Sequence, residues 1–393
     1  MEPRLDPHVL DSLRRALRHS LAAETGAAAA PPDLRDVDPA EFLRAARRHR
    51  VQPLLVASAQ ATRLPESVVT DLAGDTQDEQ LAALLSASQL TSAVQALSTQ
   101  SIPSLAIKGV ALAASTTGDY TARGSGDIDI WVRPGDVAAT VSVLAELGYE
   151  QFGCEIPTPA ASWNFRYALW LGNAELAMGN ATQTIDLHWR LDSMASGLPD
   201  FTRAWSRRAS VEIGNASIPT LSIADAFVYA CRNAAKDEWE SLRTLVDVYR
   251  LLSMLRFRDD RLPPADSGIR RTLAVTEANL GLPPNAPAFE LRPKQRTIVL
   301  RIADRAQRGM GEGYVTTQAG DWYRRLVGRG QTCRSMADAA RVGAWIALPP
   351  SAVTGESPDE HPGLGLVASR RLAHGAQRLL TVGRPARLDS FNE

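Results

Sequence analysis

The sequence predicts an α+β protein in which an α/β core sits between two helical regions. Three observations support this. Residues 1–100 are dominated by Ala, Leu and Arg; from about residue 101 short β-prone runs alternate with helical ones; and beyond residue 213 the helical texture returns. The expected organisation is therefore an N-terminal helical region (1–100), an α/β core (101–213) and a C-terminal helical region with a basic tail (214–393).

In the first region breakers are confined to places such as Pro31-Pro32. Leu81, Leu84 and Leu85, then Leu90, Val94 and Leu97, read as one buried helical face. Ser104 to Ile107 is a short strand running directly into Lys108-Gly109, and Asp127 to Val132 is a second strand. Pro134 then starts a helix with Val137, Val141 and Leu144 on one face, ended by Gly148. Trp163, Phe165, Tyr167 and Leu169 alternate as in a strand, and Thr184 to Trp189 is another. A polar break near Gly214-Asn215 is expected to return the chain to helix, with a buried stripe at Trp239, Leu242, Leu245, Tyr249 and Leu252. Pro and Gly make 262–288 a separating loop. In a helix starting near Lys294, Arg301, Arg305 and Arg308 share one face and Ile298 and Ile302 another; residues 349–365 read as a loop.

The chain has 393 residues, with 43 Lys+Arg against 44 Asp+Glu and a formal net charge of −1, which excludes a binder held to nucleic acid by overall positive charge. That balance hides a split. Residues 291–393 carry 16 Lys+Arg and 9 Asp+Glu, a net charge of +7, leaving −8 on residues 1–290. The Arg301/Arg305/Arg308 stripe reads first as a solvated face and second as a surface for a polyanionic acceptor. Three widely spaced cysteines describe neither a disulfide framework nor a Cys-rich zinc site. With no secretory signal and no membrane-length apolar run, a cytoplasmic location without membrane association is expected.

The residues that carry chemistry centre on Gly124-Ser125-Gly126-Asp127-Ile128-Asp129. In a strand, residues two apart share a face, so Asp127 and Asp129 project together. Two bare carboxylates roughly 5 Å apart repel by about 3 kcal/mol at an effective dielectric near 20. A hard divalent cation relieves this, and Mg²⁺ takes one or two carboxylates together with substrate phosphates. Asp186, on another strand, supplies the third carboxylate that a two-ion phosphoryl-transfer site needs. Lys108-Gly109 offers a point charge and a close backbone approach to phosphate, and Arg123 a bidentate grip. Ser125 is either a phosphate contact or part of a turn. His188, on the face of Asp186, either orients a carboxylate or is a satisfied polar group beside the core.

This order of motifs (Lys-Gly, R-x-x-x-D-I-D-I, a helix ending in Leu-Gly-Tyr, then I-D-L-H-W-R-L) resembles the bacterial nucleotidyltransferase-like family of the DNA polymerase β superfamily. More distantly it resembles the abortive-infection type nucleotidyltransferase toxins. The resemblance covers most of residues 40–252, from about Phe42 through HRVQPLL and on past Asp247, and weakly includes Arg384 to Arg387. It implies a polymerase β-like core with a small mixed sheet. It implies Asp127, Asp129 and Asp186 as catalytic metal ligands for Mg²⁺ or Mn²⁺, and Lys108, Gly109, Arg123, Ser125 and Lys236 beside ATP or another NTP. Asp247 matches a position that reaches the nucleotide or fixes the lobes together. Lys108-Gly109 stands where the superfamily has Gly-Ser, and Asn233 where members often have His. The implied reaction moves NMP to a hydroxyl on a protein or peptide, an RNA or a small molecule, as in peptide natural-product pathways. The alternatives are a kinase on the same fold and a non-catalytic nucleotide-binding scaffold.

Overall fold

The computed structural model describes residues 3–27, 29–124, 126–152, 175–192, 197–255 and 267–309. The expected strand at 163–169, the loop at 349–365 and Arg384 to Arg387 lie outside these residues, as does Ser125.

The N-terminal segment folds as α1 (Pro7–Glu24), α2 (Pro39–His49), α3 (Gln52–Val56) and the long α4 (Glu66–Thr99). Asp6 and Asp38 cap α1 and α2, accepting bonds from the amides of His8 and Glu41. The core follows as β1 (Ser104–Ala106), α5 (Gly109–Thr117), β2 (Ile128–Val132), α6 (Val137–Glu146), β3 (Glu150–Gln151), β4 (Glu175–Gly179) and β5 (Thr184–His188). It continues through α7 (Phe201–Ser206), β6 (Ala209–Ile213) and β7 (Ala216–Thr220). The chain then forms α8 (Ile223–Lys236), α9 (Leu242–Met254), α10 (Ser267–Leu280) and α11 (Pro293–Arg308).

The described strands make one mixed seven-stranded sheet, in the order β3-β4-β5-β2-β1-β7-β6. β2 lies at its centre, antiparallel to β1 and parallel to β5, with Asp129 opposite Asp186. Alternation along these strands sorts their side chains onto two faces. Ile128, Ile130, Val132, Ile185 and Leu187 pack with the second half of α4 and with α6, whereas Leu105 and Trp131 pack with α8, α9 and α10.

A further core joins the chain's two helical segments. Leu10, Leu13 and Leu17 of α1 and Phe42 of α2 are buried with Trp239, Leu245 and Val299. Polar ties reinforce it: Arg250 grips Glu24 with two bonds of 3.0 and 2.7 Å, and Leu5 donates its amide to the carbonyl of Arg308 at 2.8 Å. The expected stripe at Trp239, Leu242, Leu245, Tyr249 and Leu252 is buried. Helix α4, with 34 residues and a length of about 50 Å, reaches from this core, at Val68 and Leu72, to the sheet, at Ala83 to Leu97.

Four local expectations are corrected. Leu90, Val94 and Leu97 are buried, but Leu81, Leu84 and Leu85 are 65, 47 and 41% exposed. The five-residue step from Leu85 to Leu90 breaks the helical phase, and the small residues Ala83, Ser86 and Ala87 take the inner face instead. Gly214-Asn215, with Gly214 at φ 59°, is the two-residue turn of the β6–β7 hairpin, so the sheet continues to Thr220. The segment 262–288 contains α10, because its prolines and Gly281 stand at the helix ends and leave Ile269, Leu273 and Leu280 free to be buried. Finally, Ile298 is 55% exposed on the face of Arg301, one turn away, while Val299, Ala303 and Gln307 form the buried stripe of α11.

Candidate active site

The C-terminal end of β1 and the N-terminal end of β2, which run antiparallel, open into a cleft of about 300 Å³ bounded by the sheet, the start of α5, and the α8–α9 connection. Lys108, Gly109, Arg123, Asp127, Asp129, Asp186 and Lys236 all line it. Four segments far apart in sequence thus converge.

Sheet register explains the acidic wall. Asp129 and Asp186 are direct partners on parallel strands, and Glu175 on β4 lies opposite His188 of β5, so all four point from one sheet face. Asp127 precedes β2 at the cleft mouth and is exposed. Asp129 is buried, and its Oδ1 accepts from Lys108 Nζ at 3.0 Å and lies 2.9 Å from His188 Nε2. Burial alone would raise its pKa, but Lys108 and His188 outweigh that and hold the carboxyl well below its usual range. Conversely, burial would neutralise Lys108, yet the Asp129 carboxylate keeps its ammonium charged, and the Tyr229 ring lies 5.4 Å beneath it. Glu175 Oε2 approaches His188 Nδ1 at 3.3 Å, off the line of a hydrogen bond.

Among the described residues Asp186 has no such cation of its own. Burial, then the neighbouring Asp129, push its carboxyl up to about 6, with Glu175 and Asp127 adding to the rise. Carboxylates crowded on one face with this residual repulsion are the donor set that suits a hard divalent cation. As the side chains stand, no three His, Cys, Asp or Glu groups converge on one point among the described residues. Asp129 keeps one carboxylate oxygen clear of Lys108 and His188, and Asp127 and Asp186 face the cleft, so the residues fit a cation held between carboxylates.

The opposite wall is helical and basic. Arg123 donates from Nε and Nη2 to both oxygens of Asp247 at 2.7 Å, so its bidentate face is taken up by α9 and not left open for phosphate. This pair ties the loop before β2 to the C-terminal helices. Lys236 ends α8 with its ammonium 3.9 Å from Asp237. Next to it the chain turns through Glu238 and Trp239, both left-handed at φ 54° and 55°, a costly conformation for residues with side chains. Trp239 holds the turn: its Nε1 donates to Thr272 at 2.9 Å and its carbonyl accepts from Gln307 at 3.0 Å. Gly124, at φ 66°, adopts a conformation that strains any residue with a side chain, and a Cβ there would also push the Glu79 carboxylate aside.

A family described as uncharacterised nucleotidyltransferase matches residues 35–262, more than half of the chain. The chain is a member of this nucleotidyltransferase family. No curated protein matches it. The matched span of the nucleotidyltransferase contains both walls of the cleft, from Arg50 to Asp247. Sequence reasoning missed Arg50, Tyr229, Asp237 and Arg243 in this cleft. Arg243 had a readable signal, since it lies four residues before Asp247 and therefore on the same side of α9; Arg50 stands inside the HRVQPLL motif.

Proposed function

We propose that this nucleotidyltransferase uses ATP or another NTP with Mg²⁺ or Mn²⁺. It transfers NMP to a hydroxyl acceptor on a protein or peptide, an RNA or a small molecule, as in a peptide natural-product pathway. The observation that carries this reading is the register of Asp129 against Asp186, with Asp127 beside them, which gathers carboxylates on one face of a cleft in a member of a nucleotidyltransferase family.

In the reaction, the acceptor hydroxyl oxygen bonds to the α-phosphorus while the bond from that phosphorus to the bridging oxygen breaks. Pyrophosphate leaves and the hydroxyl proton is released. Asp127, Asp129 and Asp186 are the groups that would hold the divalent ions, whose chemistry is to stabilise charge on the attacking and leaving oxygens. Lys108 keeps Asp129 ionised and fixed, and His188 holds the same oxygen from the other side. Lys108 also stands at the start of α5, whose free amides have no side-chain cap and favour an anion. Lys236 adds a charge at the cleft rim.

The test is incubation of candidate acceptors with α-labelled and, separately, γ-labelled ATP. Label from the α position alone is expected. Transfer of the γ label alone would make the protein a kinase, and no transfer to any acceptor would make it a nucleotide-binding scaffold.

A further inference from the structure

The basic wall holds two cations that make no ion pair among the described residues. Arg243, on α9, is buried deeply enough that its guanidinium is pushed down to about 10, first by burial and then by neighbouring Arg123. Its Nε has no hydrogen-bond partner, and the group makes no ion pair among the described residues. Arg50, the C-cap of α2 at φ 50°, is exposed and makes none either. Its Nη1 stands 3.1 Å from where a Cβ on Gly126 would be, so it packs against the residue adjoining Asp127. Asp247 acts on Arg243 but is already gripped by Arg123, and Glu79, which faces both arginines, answers them only weakly, because burial raises its pKa against the pull of Arg243 and Arg50. Leaving a buried guanidinium donor unpaired is costly, and such a group is best explained by an anion that arrives from outside.

From this geometry we infer that Arg50 and Arg243 form the subsite for the β- and γ-phosphates of the nucleotide, the part that leaves as pyrophosphate. This deepens the nucleotidyl-transfer reading and rests on it for the position of the α-phosphate at the acidic wall. Two unpaired cations side by side match a polyphosphate, whereas a single carboxylate would compensate only one. Arginine suits this task through its forked donors. The consequence is architectural: α2, in the N-terminal helical region, completes a site whose carboxylates stand on the sheet. Glycine at 126 keeps open the approach between them, since any larger residue would press on Arg50.

Calorimetric titration of the full chain with pyrophosphate, ATP and AMP, each with Mg²⁺, tests the subsite in wild type, Arg50→Gln and Arg243→Gln. Affinity for pyrophosphate and for ATP should fall about tenfold or more in each variant, while AMP binding changes little. Arg50 is exposed, so its variant remains informative if Arg243→Gln fails to fold, and Arg243→Lys should retain part of the affinity. Unchanged pyrophosphate binding in Arg50→Gln, or an equal loss for AMP, overturns the subsite. If pyrophosphate binds through Arg50 but no α label is transferred to any acceptor, the subsite stands and nucleotidyl transfer falls. If transfer occurs with unaltered affinities, the reverse holds. A wild type that binds none of the three removes both.

Discussion

The two walls of the cleft are built on different principles. The acidic wall comes from adjacent strands, where a repeat of two residues and a shared register place Asp129, Asp186, His188 and Glu175 on one face. The basic wall is assembled from the end of α2, the loop before β2 and the start of α9, which meet only because the two helical segments share a core. Charges on the first wall are crowded and partly compensated within it by Lys108; those on the second are spread, with Arg123 paired and Arg50 and Arg243 without an ion pair among the described residues. On the proposed reading, the sheet sets the reacting centre and helix packing sets what reaches it.

The largest effect should separate two aspartates that sequence alone treats as equivalent. Asp127 is exposed and makes no hydrogen bond or ion pair among the described residues, so Asp127→Asn should reduce transfer by about 10²–10³-fold with an unchanged melting temperature. Asp129→Asn should abolish activity and also destabilise the protein by about 2 kcal/mol, since it strips Lys108 of its counter-charge; the 27% exposure of the lysine side chain keeps this below the cost at a fully buried pair. Labelled transfer and thermal melts read both. Full activity in Asp127→Asn would remove it from the metal-binding set, and an unaltered melt in Asp129→Asn would show that Lys108 does not need it.

Part of the acidic wall was legible because β-structure writes its faces into alternate residues: Asp127 and Asp129 could be assigned to one face from sequence, whereas the register that sets Asp186 opposite Asp129 is a pairing between strands that alternation alone does not fix. The basic wall was not, because nothing local to Arg50 announces Gly126, 76 positions away. Phase errors account for other departures. Leu81, Leu84 and Leu85 keep helical spacing among themselves but fall out of step with Leu90, so only the packing of α4 decides which set is buried. Breakers mislead in the same way at 262–288, where Pro and Gly flank α10.

The seam between the walls gives the next effect. Arg123 and Asp247 are both largely buried, with 11 and 5% of their side chains exposed, so removing either leaves an uncompensated charge. Arg123→Met and Asp247→Leu should each cost about 3 kcal/mol or more in denaturant titrations, and the double variant should cost less than the sum of the two. Additive losses would mean that the pair is not coupled. Activity in a well-folded double variant adds a second readout, because transfer near the wild-type level would confine Arg123 to joining the walls, and a large loss would give it contact with the nucleotide.

A smaller and pH-dependent effect belongs to the helical side alone. His49 ends α2 beside Arg50, fully buried, and its Nδ1 accepts the Leu242 amide at the start of α9, 3.4 Å away. Burial pushes its pKa down to about 3, with Arg48 and Arg14 contributing in the same direction. In the window from the ordinary value of about 6.5 down to about 3, the unfolded chain binds a proton at this site and the folded chain does not. Stability therefore falls as pH falls through that window, with a slope from this residue of about 1.4 kcal/mol per pH unit well below 6.5. His49→Gln keeps an acceptor but cannot titrate, so between pH 7 and pH 5 wild type should lose about 2 kcal/mol more than the variant. Parallel pH profiles would show that His49 is protonated in the folded protein. In that case the contact between α2 and α9, which carry Arg50 and Arg243, would have to open as the pH falls.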